Sequence, residues 1–183
     1  MKKFIPDLKA DIVPLQSAAG IEIGLIFDDF IKYSPHKMVS EQEYNSPSNT
    51  NNLWYVVHFK GVNILGKHYD SYSCRWNNDV TLQFYGCPEK VLYGIIVSGT
   101  YKGALFNELR ISDRLDKLSD KYDLDFYADS HYLVYKDNHD ECVPVEVGTD
   151  YLVDYSYEPN QVIELFYVMM HSEQQKKYGI SWD

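Results

Sequence analysis

The sequence predicts an α+β fold: mostly antiparallel β-sheet, built of meanders and hairpins, with two or three short helices. Three observations carry this. Short runs of β-branched and aromatic residues recur along the chain and end at glycine or proline. Only one segment, residues 111–122, has a clean helical spacing of apolar side chains. Tyrosine supplies 17 residues against 8 Phe and 3 Trp, a composition suited to strands with one half-exposed face or to a tyrosine-rich contact surface.

In chain order, residues 11–24 read as a turn and a short strand around Ile21 and Ile23. Asp28 and Asp29 precede Phe30, Ile31 and Tyr33, which predicts a short helix with acids in its first turn, ended by Ser34-Pro35. Residues 40–52 are polar, with Asn45–Asn52 reading as a loop. Strands are expected at 53–59, 62–65, 80–85 and 91–97, with Lys60-Gly61 as a turn between the first two. Ile111, Leu115, Leu118 and Tyr122 then form one apolar stripe, predicting a helix over 112–122 capped by Ser112 or Asp113, with an Asp113–Lys117 pair across one turn. Further strands are expected at 125–128, 131–135, 143–147 and 151–157, with a turn at Glu158-Pro-Asn160. Residues 162–168 also fit a helical stripe, but their β-branched and aromatic content favours strand.

A length of 183 residues suits one domain, 1–183. The segments Ile21–Phe30 and Leu105–Leu115 both run from a strand toward a helix through an aspartate, so two related ββαβ-like halves, about 1–90 and 91–183, would fit. No apolar run follows Lys2 and Lys3, and the greasiest stretch, Val162–Met170, contains Glu164 and falls short of the roughly 20 residues a span needs. Cys74, Cys87 and Cys142 are odd in number and show no paired spacing, as expected for free thiols in the cytoplasm.

The net charge of −10 is concentrated. Residues 1–91 hold 10 acidic and 9 basic side chains, whereas residues 92–183 hold 17 and 8. Within 113–164 there are 14 acids against Arg114, Lys117, Lys121 and Lys136. With no basic run or stripe, nucleic acid and anionic membrane are excluded as expected partners. A basic protein surface is the partner such a field attracts; a merely solubilising face is the alternative.

Catalytic signatures are missing. There is no nucleophile elbow, phosphate loop, dinucleotide fingerprint or zinc motif. Ser98–Gly103 reads as a turn. His131, His139 and Cys142 with Asp137 or Asp140 match no closed metal-ligand spacing, and Cys74 near His58, His68 and Asp70 is explained by chance. No catalytic residue, metal or cofactor is expected, and the chain is not expected to be an enzyme.

What remains is tyrosine interleaved with carboxylates. The candidate partner-binding residues are Asp120, Asp123, Asp125, Tyr127, Asp129, Tyr132, Tyr135, Asp137, Asp140 and Glu141, with further alternation at Asp150-Tyr151 and Asp154–Glu158. Aromatics give rigid contact area, while carboxylates take arginine bidentately and lysine as a point charge. In this character, and in the segments Ile21–Phe30 and Glu108–Leu118, the chain resembles bacterial toxin immunity proteins of the contact-dependent growth inhibition type. The resemblance covers about a sixth of the chain and carries no diagnostic motif, so no family residue is transferred. It implies one-to-one binding of a basic toxin domain, often a nuclease. A small hydrolase, or a ligand-binding domain without a toxin partner, is the competing reading.

Overall fold

The computed structural model describes residues 4–46, 52–64, 67–86, 89–178 and 180. It is an α+β protein, about 45% strand and 13% helix. A small hairpin, β1 (Ser17–Ala18) and β2 (Ile21–Glu22), leads into α1 (Phe27–Tyr33). After it come β3 (His36–Met38), α2 (Glu41–Tyr44), β4 (Trp54–Ile64), β5 (Lys67–Trp76), β6 (Val80–Tyr85) and β7 (Val91–Ser98). A single 3-10 turn (Leu115–Leu118) precedes β8 (Tyr122–Tyr127), β9 (Ser130–Tyr135), β10 (Asn138–Thr149), β11 (Ile163–Met169) and α3 (Ser172–Lys177).

Nine of these strands form one sheet, ordered β3-β4-β5-β6-β7-β11-β10-β9-β8. Every neighbouring pair is antiparallel except β3–β4. The sheet is thus two meanders, β4–β7 and β8–β11, whose last strands pair with each other.

One face of the sheet is covered. Trp54, Val56, Cys74, Trp76, Leu82, Phe84, Ile95, Val97, Val145, Val147, Phe166 and Val168 point into a single core. Ile12, Ile21, Phe30, Tyr101, Leu105, Leu109, Leu115 and Leu118 close that core from the connecting segments. The period-2 alternation of the strands follows from this one-sided burial. An aromatic cluster anchors α1: Phe30 meets Trp54 edge-on at 5.3 Å, and Phe27 meets Phe84 at 5.2 Å. Such pairs add about 0.5–1.5 kcal/mol each beyond their burial.

Several elements depart from the sequence expectation. The predicted helix over 112–122 is only the 3-10 turn: Ser112 has φ 71°, and Tyr122 already belongs to β8. Its stripe is nevertheless real, because Leu115 and Leu118 are buried, and Lys117 still reaches Asp113 at 2.8 Å. Lys60-Gly61 is no turn. Gly61, at φ 62°, lies where the β4–β5 register shifts, so one long strand bends through a bulge. Residues 151–157 form no strand but an irregular loop, whereas 163–169 are strand as expected. The polar stretch before the predicted loop forms α2, capped by the Ser40 hydroxyl accepting from Glu43 N; of the loop itself, residues 47–51 lie outside the described set.

Candidate protein-binding surface

Alternation decides which side chains of β8–β10 reach solvent. On β8, Tyr122, Leu124 and Phe126 turn toward the covered face, leaving Asp123, Asp125 and Tyr127 on the other. Ser130, Tyr132 and Val134 of β9 and Glu146 of β10 lie opposite them in register. Two carboxylates and an aromatic ring that is 73% exposed therefore share one face at the sheet's edge. The turn joining β8 to β9 places Ala128 and Asp129 at φ 50° and 64°, the left-handed pair that a two-residue hairpin requires.

By register this side of the sheet continues through all nine strands, although over β4 it is covered by α2, whose Tyr44 packs with the buried Tyr55 and Val57. A single row of cross-strand neighbours runs Asp125–Tyr132–Glu146–Tyr167–Ile96–Thr81–Arg75–Tyr55–Lys37, one residue from each of the nine strands. Tyr167 lies down across Gly94, where an added Cβ would come within 2.5 Å of the ring, and its hydroxyl donates to Gln83 Oε1 at 2.6 Å. Leu165 lies across Gly148 in the same way. Glycine at these two positions flattens the face.

Burial, and then hydrogen bonding to the Glu146 carboxylate, push the Tyr132 hydroxyl well above its usual acidity range, so it stays a neutral donor. Burial does the same to Tyr167, helped by Tyr93 beside it.

Ion pairing sorts the acids. Near the 3-10 turn, Glu108 holds Lys121 at 2.7 Å, Asp113 holds Lys117 at 2.8 Å, and Asp116 takes Arg114 at 2.8 Å. Asp123 faces the exposed Lys136 at 3.7 Å. Asp125, Asp129, Asp137 and Glu141 form no ion pair among the described residues. Between residues 137 and 175 the sequence has no Lys or Arg at all. Asp125, Asp129, Asp137 and Glu141 are consequently the acids without a cation among the described residues.

Not every candidate falls on this face. Tyr135 turns inward and packs at 5.3 Å on Tyr122, so it finishes the covered core. Asp120 is exposed in the turn before β8, and Asp137 in the turn after β9. Glu141 is exposed on β10, and the side chains of His139 and Asp140 lie outside the described set. The sequence reading missed Glu146 and Tyr167, which register alone brings beside Tyr132.

Comparison with protein-family models, curated proteins and solved structures finds no match.

The residues weighed for catalysis do not assemble. Cys74 is fully buried and its thiol is pushed well up by burial, which keeps it unreactive at neutral pH. His58 Nε2 lies 3.4 Å from Asp70 Oδ2, with its ring stacked on Tyr72 at 4.4 Å. Three cavities among the described residues are lined by 78, 98–99, 111–112, 150 and 162–165; by 4 and 20–25; and by 26, 28 and 89–90. His58 and Asp70 line none of them. The side chain of His68 is outside the described set. Among the described residues no group of His, Cys, Asp and Glu is placed to hold a metal, and no helix is long and apolar enough to cross a membrane.

Proposed function

We propose that this chain is an intracellular immunity-type protein that binds and neutralises a cognate basic toxin domain, a nuclease by its expected chemistry, through its acidic, tyrosine-bearing sheet face. One observation carries the reading: Asp123, Asp125 and Tyr127 stand together on an exposed edge beside Asp129, where Asp125 and Asp129, unlike the acids around the 3-10 turn, form no ion pair among the described residues. Uncompensated carboxylates beside a rigid exposed ring favour Lys and Arg on a partner, and the concentrated negative field speeds encounter with it. A toxin that grips nucleic acid must present such a basic groove, and a flat face laid over it would exclude the substrate without any catalytic group of its own.

The test is capture of the toxin from the source cells by the tagged protein, followed by titration of the toxin's nuclease activity. Stoichiometric inhibition that weakens as salt rises supports the reading. An Asp123→Lys, Asp125→Lys, Asp129→Lys triple variant should associate at least about tenfold more slowly. Equal inhibition by wild type and triple variant at every salt concentration would remove the acidic face from the mechanism.

A further inference from the structure

The loop between β10 and β11 exposes apolar side chains in a way the core does not require. Of the eight large hydrophobic residues exposed among the described residues, four lie here: Tyr151 at 49%, Leu152 at 65%, Val153 at 38% and Tyr157 at 83%. Scattered apolar residues on a surface need no explanation, but three in succession on one loop do.

The loop is also held rigidly from beneath. Gln161, fully buried, donates from Nε2 to the Val153 carbonyl at 2.9 Å. The buried Thr149 hydroxyl lies 2.6 Å from both the Tyr151 carbonyl and Gln161 Oε1. Arg114 reaches across to the Pro159 carbonyl at 3.1 Å, and Tyr155 donates to Asp116 at 3.0 Å. The backbone carbonyls of Tyr151 and Val153 are thereby tied inward, so the fold spends two buried polar side chains on holding this apolar triplet outward. Ordering a contact before binding removes the entropy cost of ordering it afterwards.

Its surroundings state the partner's chemistry. Asp150, Asp154 and Glu158 flank the triplet, and their carboxylates accept backbone N–H and hydroxyl bonds within the loop. With no cation between 137 and 175, two copies of this loop would repel each other. His131, which pairs in register with Phe126, has Asp154 and the Val153 carbonyl as its polar neighbours.

We infer that residues 150–160 form a preorganised recognition loop that inserts Tyr151 and Leu152 into an apolar pocket, rimmed by Lys and Arg, on a protein partner. The inference takes the partner's positive charge from the proposed function; the pocket and its rim are its own addition. Apolar anchors surrounded by charge that excludes water are where interfaces concentrate their energy.

The probe is a random-peptide phage library panned on the immobilised full-length protein. Enriched peptides should pair an aromatic or aliphatic residue with nearby Lys or Arg. Leu152→Ser should weaken them by about tenfold or more, as expected of a hot spot. Gln161→Ala, which keeps every contacting side chain but frees the loop, should weaken them less, and Lys37→Ala, on the opposite sheet edge, not at all. Enrichment of sequences without cations, no enrichment, or unchanged binding by Leu152→Ser would overturn the inference. The two readings fail separately. Peptides captured through Leu152 by a protein that neutralises no toxin would remove the immunity reading alone. Full neutralisation by Leu152→Ser would remove the loop alone.

Discussion

Thr149→Val tests how the recognition loop is held. The substitution keeps the shape of the side chain and deletes one hydroxyl, which is buried and lies 2.6 Å from two acceptors, the Tyr151 carbonyl and Gln161 Oε1. A hydroxyl has one proton, so it counts as a single shared bond, worth about 0.5–1.5 kcal/mol net. Its loss also leaves Gln161 Oε1 buried without a partner, a cost of about 1–3 kcal/mol. The added methyl returns up to about 0.8 kcal/mol of apolar burial, leaving an expected loss of about 2 kcal/mol. With a urea dependence near 2 kcal/mol per molar, the unfolding midpoint should fall by about 1 M. Hydrogen exchange at amides 150–162 should accelerate before that of β10 and β11 themselves, because the deleted bond fixes the loop and not the strand ladder. A midpoint shift below about 0.2 M, together with wild-type exchange in the loop, would refute the argument that Thr149 and Gln161 hold it in place.

Other expected outcomes follow from side chains already placed. Gly94→Ala should cost about 1–3 kcal/mol in urea unfolding because its Cβ meets the Tyr167 ring; adding Tyr167→Ala should restore part of that loss in a double-mutant cycle. Maleimide labelling and peptide mapping of the native protein should modify the exposed Cys142 and spare Cys74 until the chain unfolds. His131 is buried, and that burial lowers its folded pKa below the ordinary value of 6.5. Its neutral form therefore stabilises the fold fully above about pH 6.5, and this contribution is lost as pH falls toward the folded pKa, where the unfolded chain binds the extra proton. Urea midpoints of wild type and His131→Leu, measured on either side of pH 6.5, should diverge in that direction, and parallel curves would count against it.

Most of the sheet was legible because one of its faces is covered and the other is largely open away from α2, which writes alternation into β6, β8 and β9. Where the reading failed, two patterns had one cause too many. The stripe Ile111, Leu115, Leu118, Tyr122 is apolar because all four meet the core, yet Tyr122 does so from a strand. The run Tyr151–Tyr157 has strand-like composition, but Tyr151, Leu152, Val153 and Tyr157 face solvent and the run serves no ladder. For the candidate surface, local spacing was enough to put Asp123, Asp125 and Tyr127 together. Glu146 and Tyr167 lie 21 and 42 residues beyond Asp125 and join it only through strand register, which no local pattern encodes.

The meeting of the two meanders at β7 and β11 has a consequence for how the chain folds. Each meander is a succession of hairpins closed by short turns, and such contacts form quickly. The seam is different: Leu165 pairs with Ser98 and Met169 with Gly94, so its closure spans some seventy residues. Loop entropy must be overcome there before any ladder bond repays it. The seam is then the late event, and before it closes the facing edges of β7 and β11 are unpaired, apolar and open to the wrong partner. Newly made chains at high concentration are most exposed to swapped pairing at this one place, each lending its second meander to another's first.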